Sequence, residues 1–569
     1  MKKKTLSALI ATAIGGAVVW FKRRSKGTPV VGRTMQEAPL SATSLSAQPH
    51  KRKRIAQPVQ KPKQDAPPPD SAAKGRTPYY FVLGEALVML HSPEPLDDQG
   101  AFFTKVAERF KAVYAPMGPQ MVYYPKDGTK EGGWFTVMRL RWADASGYEE
   151  TLKRFSELEE QVNMQVAWDD KRVMSWMPNW LGTLASAPQM YTPGAPASYP
   201  RPVAAPPDAQ LSLTDAPFLH AWREEMAHPV TLAVLDAFPS VEALQDESHQ
   251  DSLPNLLKPM VEQLCDQSDS LTVDRHDYYA THQHGTSFDM SDHGLMTAWL
   301  ATQMIGEAAI EPVSVEPVRI ATARGVCSAA DVIAGLAGLA RRVHEGETLV
   351  ILLPFVLGMS HIIPPRMRPY EEHYEALRLL CLSINQGGGT LVGAAGNDAS
   401  GLQHPPRTRL PASFRSVIDV TAGQLEQTDL ALYANQAKAL CLFGGEANLQ
   451  YEIVHNLPAL IGPAISPQVR RSKDQLENNP HGWVAWAGTS FAASLAAGLA
   501  VMRRSHNPKF KMWDIRTQLR QVATDTRLPG NVPFVDVVRG DRFVVPALAC
   551  PSSLRQAQGT ASGTGHAKA

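Results

Sequence analysis

A candidate serine nucleophile lies in the stretch Gly488-Thr489-Ser490-Phe491-Ala492. A hydroxyl is a poor nucleophile at neutral pH. Acyl transfer by serine therefore needs a histidine base, a carboxylate that orients the histidine, and donors for the oxyanion. The Ala-rich segment after Ser490 has high helix propensity, so we expect Ser490 at a helix N-terminus, where backbone N–H groups favour negative charge. Because a serine before a helix is most often an N-cap, Ser490 alone is a weak indication.

Asp236 and two histidines are the candidates for the carboxylate and the base. Asp236 ends the apolar strand Val230–Leu235, and sites form at the carboxyl ends of parallel strands. His293 opens a helical stretch, whereas His284 is followed by a polar segment without helical character. We favour His293 as the base and keep His284 as the alternative. The histidines near His284 show no metal-ligand spacing, which favours a polar surface loop.

A candidate oxyanion donor follows the apolar strand Thr390–Ala395, which leads into Gly396-Asn397. The Asn397 amide could donate a hydrogen bond to a developing oxyanion. The competing interpretation is an ordinary turn residue, because asparagine tolerates left-handed backbone angles.

These four residues occur in the order Asp, His, Asn, Ser, each at a strand end or a helix start. That order resembles the subtilisin-like (subtilase) serine peptidases. In the resemblance, Asp236 corresponds to the family's Asp motif and His293 to its His-Gly motif. Asn397 corresponds to the oxyanion asparagine and Ser490 to the Gly-Thr-Ser motif.

The resemblance implies a serine endopeptidase that acts on polypeptides through an acyl-enzyme. In this mechanism His293 takes the Ser490 proton, Asp236 orients the imidazole, and Asn397 binds the oxyanion. No cofactor would be required. Family members often bind calcium, but no loop in this sequence indicates such a site. The sequence does not predict an oligomeric state.

The chain departs from the family pattern near each catalytic motif, and a divergent member is therefore expected. The four chemical groups themselves are retained. The alternative is a catalytically inactive, membrane-tethered scaffold that binds proteins. The departures are Ala237-Phe238 after the Asp, Leu295 and Met296 in the His block, Ser494 four residues after the nucleophile, and Pro354 in the substrate-pairing strand.

The segment 211–545 alternates apolar strands with helical patterns. This alternation predicts an α/β domain with a doubly wound, mostly parallel sheet, and the resemblance implies that it is subtilisin-like over about residues 225–525. The predicted elements are Val230–Leu235, helix 293–306, Val318–Ala321, helix 329–343, Thr348–Phe355, helix 371–385, Thr390–Ala395, Val417–Thr421 and a helix from Ser490.

A smaller α+β domain is predicted over residues 78–180, because its periodicities follow the order β-α-β-β-α-β of a ferredoxin-like fold. Its first helix is expected over Ala101–Tyr114, with Val113 on the apolar face. Subtilase propeptides have this fold and this position. One hypothesis is thus a propeptide-like inhibitory domain, with self-cleavage between about Ala185 and Gln210. The other is a permanent interaction domain.

The remaining segments are predicted to lie outside folded domains. Residues 1–24 carry an apolar run, Thr5–Phe21, flanked by basic residues. We favour a single-pass membrane anchor over a cleaved signal peptide, with its orientation open. The compositions of residues 25–77 and 181–210 predict linkers, and that of residues 546–569 a disordered tail.

Charge and cysteine content limit the functional classes. Residues 1–77 hold sixteen basic and three acidic side chains, so the net charge of +1 conceals an acidic remainder. A nucleic-acid-binding role for the whole protein is therefore not supported. The 5 cysteines are scattered and show no metal-ligand spacing, which favours free thiols over a disulfide framework or a metal site.

Overall fold

The structure of this protein is a computed structural model. In the part of the chain that it describes, no helix is long and apolar enough to cross a membrane. The predicted anchor, the basic linker, His284 and the tail lie outside that part. The described residues are 81–92, 94–95, 98–123, 133–145, 147–163, 173–184, 199–203, 216–245, 253–265, 289–357, 374–399, 405–425, 429–447, 459–472, 475–524, 527–528 and 531–538.

The front part of the chain forms an antiparallel sheet with two helices. The strands lie in the spatial order β5–β1–β4–β2, and the short β3 also pairs with β4. The designation of this unit as ferredoxin-like stays a prediction. Its elements are β1 (Phe81–Ser92), α1 (Gln99–Phe110), β2 (Val113–Pro116), β3 (Met121–Tyr123), β4 (Gly133–Arg141), α2 (Tyr148–Asn163) and β5 (Val173–Leu184).

The first helix ends earlier than its apolar spacing predicts. Lys111 adopts the left-handed conformation and caps α1, and its backbone N–H reaches Ala107 and Glu108. The chain then turns into β2, so Val113 belongs to a strand and is largely exposed. The prediction of a helix through Tyr114 was wrong, because periodicity does not register a left-handed cap.

The elements of the larger domain follow the predicted alternation. They are β6 (Arg201–Pro202), α3 (Pro217–Glu224), β7 (Val230–Asp236), α4 (Val241–Gln245), α5 (Lys258–Cys265), α6 (His293–Ile305), β8 (Val313–Arg319), β9 (Val326–Ser328), α7 (Ala329–His344), β10 (Leu349–Leu353), β11 (Phe355–Leu357), α8 (Glu375–Gly387), β12 (Thr390–Ala394), β13 (Ile418–Gly423), β14 (Leu440–Phe443), β15 (Leu460–Pro463), β16 (Gln468–Ser472), β17 (Gln475–Asn478), β18 (Trp483–Trp486), α9 (Thr489–His506), α10 (Met512–Gln521), β19 (Arg527–Leu528) and β20 (Val532–Pro533).

A six-stranded sheet forms the centre of this domain, in the order β14–β13–β12–β10–β7–β8. All five neighbouring pairs are parallel, which confirms the predicted parallel α/β class. Every residue of β7, β10, β12 and β13 is buried, as expected for strands covered on both faces. Helices α6 and α9 pack against each other, as do α7 and α8.

The predicted strand Thr348–Phe355 is interrupted at Pro354, and β10 and β11 belong to different sheets. Proline lacks the N–H that a central strand requires. After the proline, β11 turns away from the parallel sheet and pairs with β5 of the front unit.

Candidate active site

Asp236 and His293 form a buried pair at the carboxyl end of β7. Asp236 is the last residue of that strand and His293 is the first residue of α6. The imidazole Nδ1 lies 2.7 Å from Oδ1 and 2.8 Å from Oδ2 of the carboxylate. Both side chains are completely buried. A carboxylate at Nδ1 holds the ring so that Nε2 is the nitrogen able to accept a proton.

Two further donors fix the Asp236 carboxylate. The Ala237 backbone N–H donates to Oδ1 at 2.7 Å, and the Thr297 hydroxyl donates to Oδ2 at 3.0 Å. Sequence reasoning did not identify Thr297. The available signal was its position four residues after His293, which places the two side chains on the same face of a helix.

The segment after Asp236 is anchored from both sides. The Gly294 N–H donates to the Ala237 carbonyl at 3.0 Å. A Cβ on Gly294 would lie 2.4 Å from that carbonyl oxygen and 2.5 Å from the Phe238 ring, so only glycine permits the approach. On the other side, the Arg319 guanidinium donates to the carbonyls of Phe238 and Pro239. Hydrogen bonds from Gly294 and Arg319 thus hold the carbonyls of residues 237–239.

Ser490 lies in the first turn of α9, as predicted, and is completely buried. Its hydroxyl donates to the Pro354 carbonyl at 3.0 Å. Its own carbonyl accepts a bond from the Ser494 hydroxyl at 2.9 Å. Pro354 was noted in the sequence for its missing N–H, but its contact here uses the backbone carbonyl.

Asn397 contacts the residue directly before Ser490. Its Oδ1 accepts both the backbone N–H of Thr489 at 3.1 Å and the Thr489 hydroxyl at 3.0 Å. These bonds fix the amide orientation and leave Nδ2 buried without a hydrogen-bond partner among the described residues. Buried donors without partners are rare and require an explanation.

The His293 ring links the two halves of the site. Its centroid lies 5.3 Å from that of Phe491, the residue after Ser490, and 5.5 Å from that of Trp486. The structure thus brings Asp236 to His293, brings Asn397 to the Thr489-Ser490 turn, and joins these pairs through aromatic contacts. The alternative base, His284, lies outside the described residues.

Asp292 is a buried acid next to His293. Its Oδ1 accepts the Ile465 N–H at 2.8 Å and its Oδ2 accepts the Ser466 N–H at 3.1 Å. Burial is the main cause that raises the pKa of Asp292 to about 6, and the nearby Asp289 contributes in the same direction. Among the described residues, no group of three His, Cys, Asp or Glu side chains could hold a metal ion.

The end of β5 lies between two strands beside the nucleophile. Residues 182–184 pair antiparallel with β11, and residues 181–183 pair antiparallel with β9. The Leu184 N–H also donates to the Gly325 carbonyl at 3.0 Å. Leu184 pairs with Phe355, the residue after Pro354. The strand therefore runs toward the carbonyl that Ser490 contacts.

No curated protein matches the chain. A solved structure described as a cold adapted subtilisin-like serine proteinase is similar to it, with 15% identity, a TM-score of 0.32, and coverage of 55% of this chain and 88% of that one. The model of the subtilase family matches residues 265–534, a range that contains His293, Asn397 and Ser490 and begins after Asp236. The chain therefore carries a domain of the subtilase family, whose matched part is residues 265–534.

Proposed function

We propose that this chain is a serine endopeptidase that hydrolyses peptide bonds through an acyl-enzyme. In this proposal Ser490 is the nucleophile, His293 is the general base and then the general acid, and Asp236 orients the imidazole and stabilises its cation. The 2.7 Å contact between His293 and Asp236 supports these roles. The three donors around Asp236 keep its carboxylate in one orientation.

The observation that carries the proposal is that Nδ2 of Asn397 has no hydrogen-bond partner among the described residues. Thr489 occupies the amide oxygen with two bonds, so the amide nitrogen is the group left to donate. A preorganised donor of this kind costs no reorganisation when negative charge develops. A role as a mere turn residue would not require two bonds that fix the amide orientation.

The first chemical step would begin by redirecting one proton. In the structure without substrate, the Ser490 hydroxyl donates to the Pro354 carbonyl. When a peptide carbonyl is bound, the hydroxyl would instead donate to Nε2 of His293, and its oxygen would attack the carbonyl carbon. Catalytic hydrogen bonds often form only in the substrate complex. His293 would pass that proton to the leaving amine as the C–N bond breaks, which leaves an ester on Ser490. Water would then hydrolyse this ester, with His293 as the base and without a cofactor.

We propose further that the front unit is a propeptide-like inhibitor. The location of β5 between β9 and β11 supports this role, because its end pairs with the strand that begins directly after Pro354, the residue that Ser490 contacts. Antiparallel addition to strand edges is a common mode of peptide binding. Most of the predicted self-cleavage interval, 185–210, lies outside the described residues. Within it, residues 199–203 join the larger domain through β6 and β18.

The test uses a fluorophosphonate probe and the migration of the full chain on a gel. Wild type should cleave itself, digest added protein, and be labelled. Ser490→Ala should remain at full length and unlabelled. Ser505→Ala is the matched control, because Ser505 is a buried serine of the same helix that bonds His228 instead.

Two outcomes would contradict these proposals separately. If the wild type digests substrate while it stays at full length, the propeptide role is wrong and the peptidase role stands. If a folded wild type is neither labelled nor active, even after an added endopeptidase has cut the 185–198 segment, the chain is an inactive subtilase-fold scaffold.

A further inference from the structure

Residues 181–184 lie between β9 and β11, in what we call the groove beside Ser490. This groove leaves no room for a side chain at Gly182. Gly182 itself is buried in β5 between β9 and β11. A Cβ at this position would lie 2.5 Å from the Val356 carbonyl oxygen, 2.6 Å from Cδ2 of Leu357 and 3.0 Å from Sγ of Cys327. All three distances are at or below the closest approach of ordinary Cβ contacts, and one of the atoms belongs to the backbone.

The restriction arises from space and not from backbone angles. Gly182 is an ordinary strand residue without a positive φ, so another residue could adopt its conformation. Glycine within a strand often marks a close approach of another backbone. The two side chains that a Cβ at position 182 would contact are themselves buried in the core, since Cys327 and Leu357 are 0% and 3% exposed. Neither can move aside without a rearrangement of the core.

The neighbouring positions of β5 differ in this respect. Leu184 lies on the same face as Gly182, because side chains alternate along a strand, and it is buried with the core. Thr183 lies on the opposite face. The groove therefore accommodates a large apolar side chain at position 184 and no side chain at position 182.

We propose that the position of Gly182 marks a glycine-restricted subsite, and that substrates are extended peptides with glycine two residues before a large apolar residue. This inference rests on the proposed function, because it takes β5 as the mimic of a bound substrate. Substrates would pair with β9 and β11 as residues 181–184 do. Leu357 and Cys327 would determine the specificity.

The first test needs no catalysis and uses the full chain with Ser490→Ala. Hydrogen exchange of the backbone amides of β9 and β11 reports whether β5 is seated. Gly182→Ala should accelerate that exchange roughly tenfold or more, because the added methyl overpacks the groove. Thr183→Val is the matched control and should leave exchange unchanged. Unchanged exchange in folded Gly182→Ala would overturn the proposal.

The second test uses self-cleaved wild type and peptides of the sequence of residues 178–187. Replacing glycine with alanine at the position of Gly182 should lower kcat/KM roughly 10- to 200-fold, the range for one methylene in a closed pocket. Equal cleavage of both peptides would refute the glycine subsite and leave the peptidase role intact. If neither peptide is cleaved by enzyme that still digests added protein, β5 does not represent a substrate and the glycine subsite is wrong. If the enzyme digests neither peptide nor protein, the proposed function itself fails.

Discussion

Backbone and side-chain donors hold the Asp236 carboxylate in one orientation next to His293. Ala237 has no side-chain hydroxyl, yet its backbone N–H still reaches Oδ1. Thr297 brings a hydroxyl to Oδ2 from one turn along α6. The Thr297 hydroxyl oxygen also lies 3.0 Å from the Gly294 carbonyl oxygen, a second acceptor for its single proton, so its position is set by the helix that carries His293. We regard Thr297 as a positioning residue.

The first prediction concerns that hydroxyl. Thr297→Val should lower kcat/KM roughly 10- to 100-fold, because a hydrogen bond to a charged group contributes about 1.5–3 kcal/mol. Thr297→Ser should restore most of the activity. The pH dependence of kcat/KM should also move in the valine variant, since a less firmly held Asp236 stabilises the imidazolium less well.

The control for this prediction is Thr302→Val. Thr302 is another buried threonine of α6, and its hydroxyl bonds the Trp299 carbonyl instead of Asp236. It should leave the pH profile unchanged. If both variants lose activity equally, Thr297 acts only through general packing of α6.

Among single residues, the sequence predicted those whose polar side chains stand out from the apolar segments around them. Asp236 ends β7, and His293 and Ser490 lie in the first turns of α6 and α9, as predicted, while their catalytic roles stay a prediction. Thr297 was not predicted, because a threonine in an apolar helix does not reveal its acceptor. The role of Pro354 was hidden for a different reason: a carbonyl belongs to every residue, and only the fold shows which one faces the nucleophile.

Asp292, the buried residue directly before α6, connects the start of this helix to another loop. Asp292 makes no side-chain capping bond to α6 and instead accepts the N–H groups of Ile465 and Ser466. It thereby ties the start of the His293 helix to the loop between β15 and β16. The bonds favour the carboxylate, but the cost of burying the charge is larger, so the pKa is raised to about 6.

The second prediction follows from the sign of that shift. The native state holds the Asp292 proton more tightly than the unfolded state, whose pKa is the ordinary 3.8. The contribution of Asp292 to the free energy of unfolding should therefore fall as pH rises from about 4 to about 6 and stay constant above that. The measurement is urea unfolding of the Ser490→Ala chain, which does not cleave itself, with and without Asp292→Asn across pH 4–8.

The difference between these two proteins should decline across pH 4–6. Asp514→Asn, at an exposed position of α10, is the control and should show no such decline. A difference that stays constant with pH would mean that Asp292 is ionised equally in both states.

Elements were predictable where one physical rule dominates. Strands β7, β10, β12 and β13 and the helices α6, α7 and α9 follow directly from apolar runs and helical spacing. Strand β14 was not predicted, and β8 begins at Val313 and not at the predicted Val318. The end of α1 depends on a single left-handed residue, Lys111. The division of β10 from β11 depends on one missing N–H, at Pro354. Periodicity averages over such single residues and therefore misplaces the boundary.

On the scale of the whole molecule, the front unit and the larger domain share a sheet and a core. Strand β5 pairs with β1 over its first part and with β9 and β11 at its end. Two buried hydrogen bonds strengthen this junction between the front unit and the larger domain. Asn179 donates to Glu85 at 2.8 Å and accepts the Ala330 N–H of α7 at 2.9 Å. Burial raises the pKa of Glu85.

This junction was beyond prediction from the sequence. Gly182 pairs with Cys327 and Leu357, residues far away along the chain, and no local pattern specifies such a partner. The sequence predicted two domains in order with a linker over residues 181–210 between them, but residues 181–184 belong to β5. The insertion of the last strand of one into a groove of the other depends on the shape of that groove.

The last prediction concerns His91, at the end of β1 and near Glu375 and Arg378 of α8. Burial lowers the pKa of His91; the Glu375 charge opposes this effect and Arg378 adds to it. Glu375 is also bonded by Arg378 at 2.6 and 2.7 Å, which weakens its attraction for a protonated imidazole.

A histidine with a lowered pKa binds protons less readily in the native state, so native stability is lost as pH falls below its ordinary value of 6.5. Wild type should therefore lose stability relative to His91→Gln between pH 7.5 and 5.5, the opposite trend to that of Asp292. Urea unfolding in the Ser490→Ala chain measures this without self-cleavage, and His220→Gln, at an exposed position of α3, is the control. If the wild type and His91→Gln respond equally to acid, His91 does not make the junction between the two units sensitive to pH.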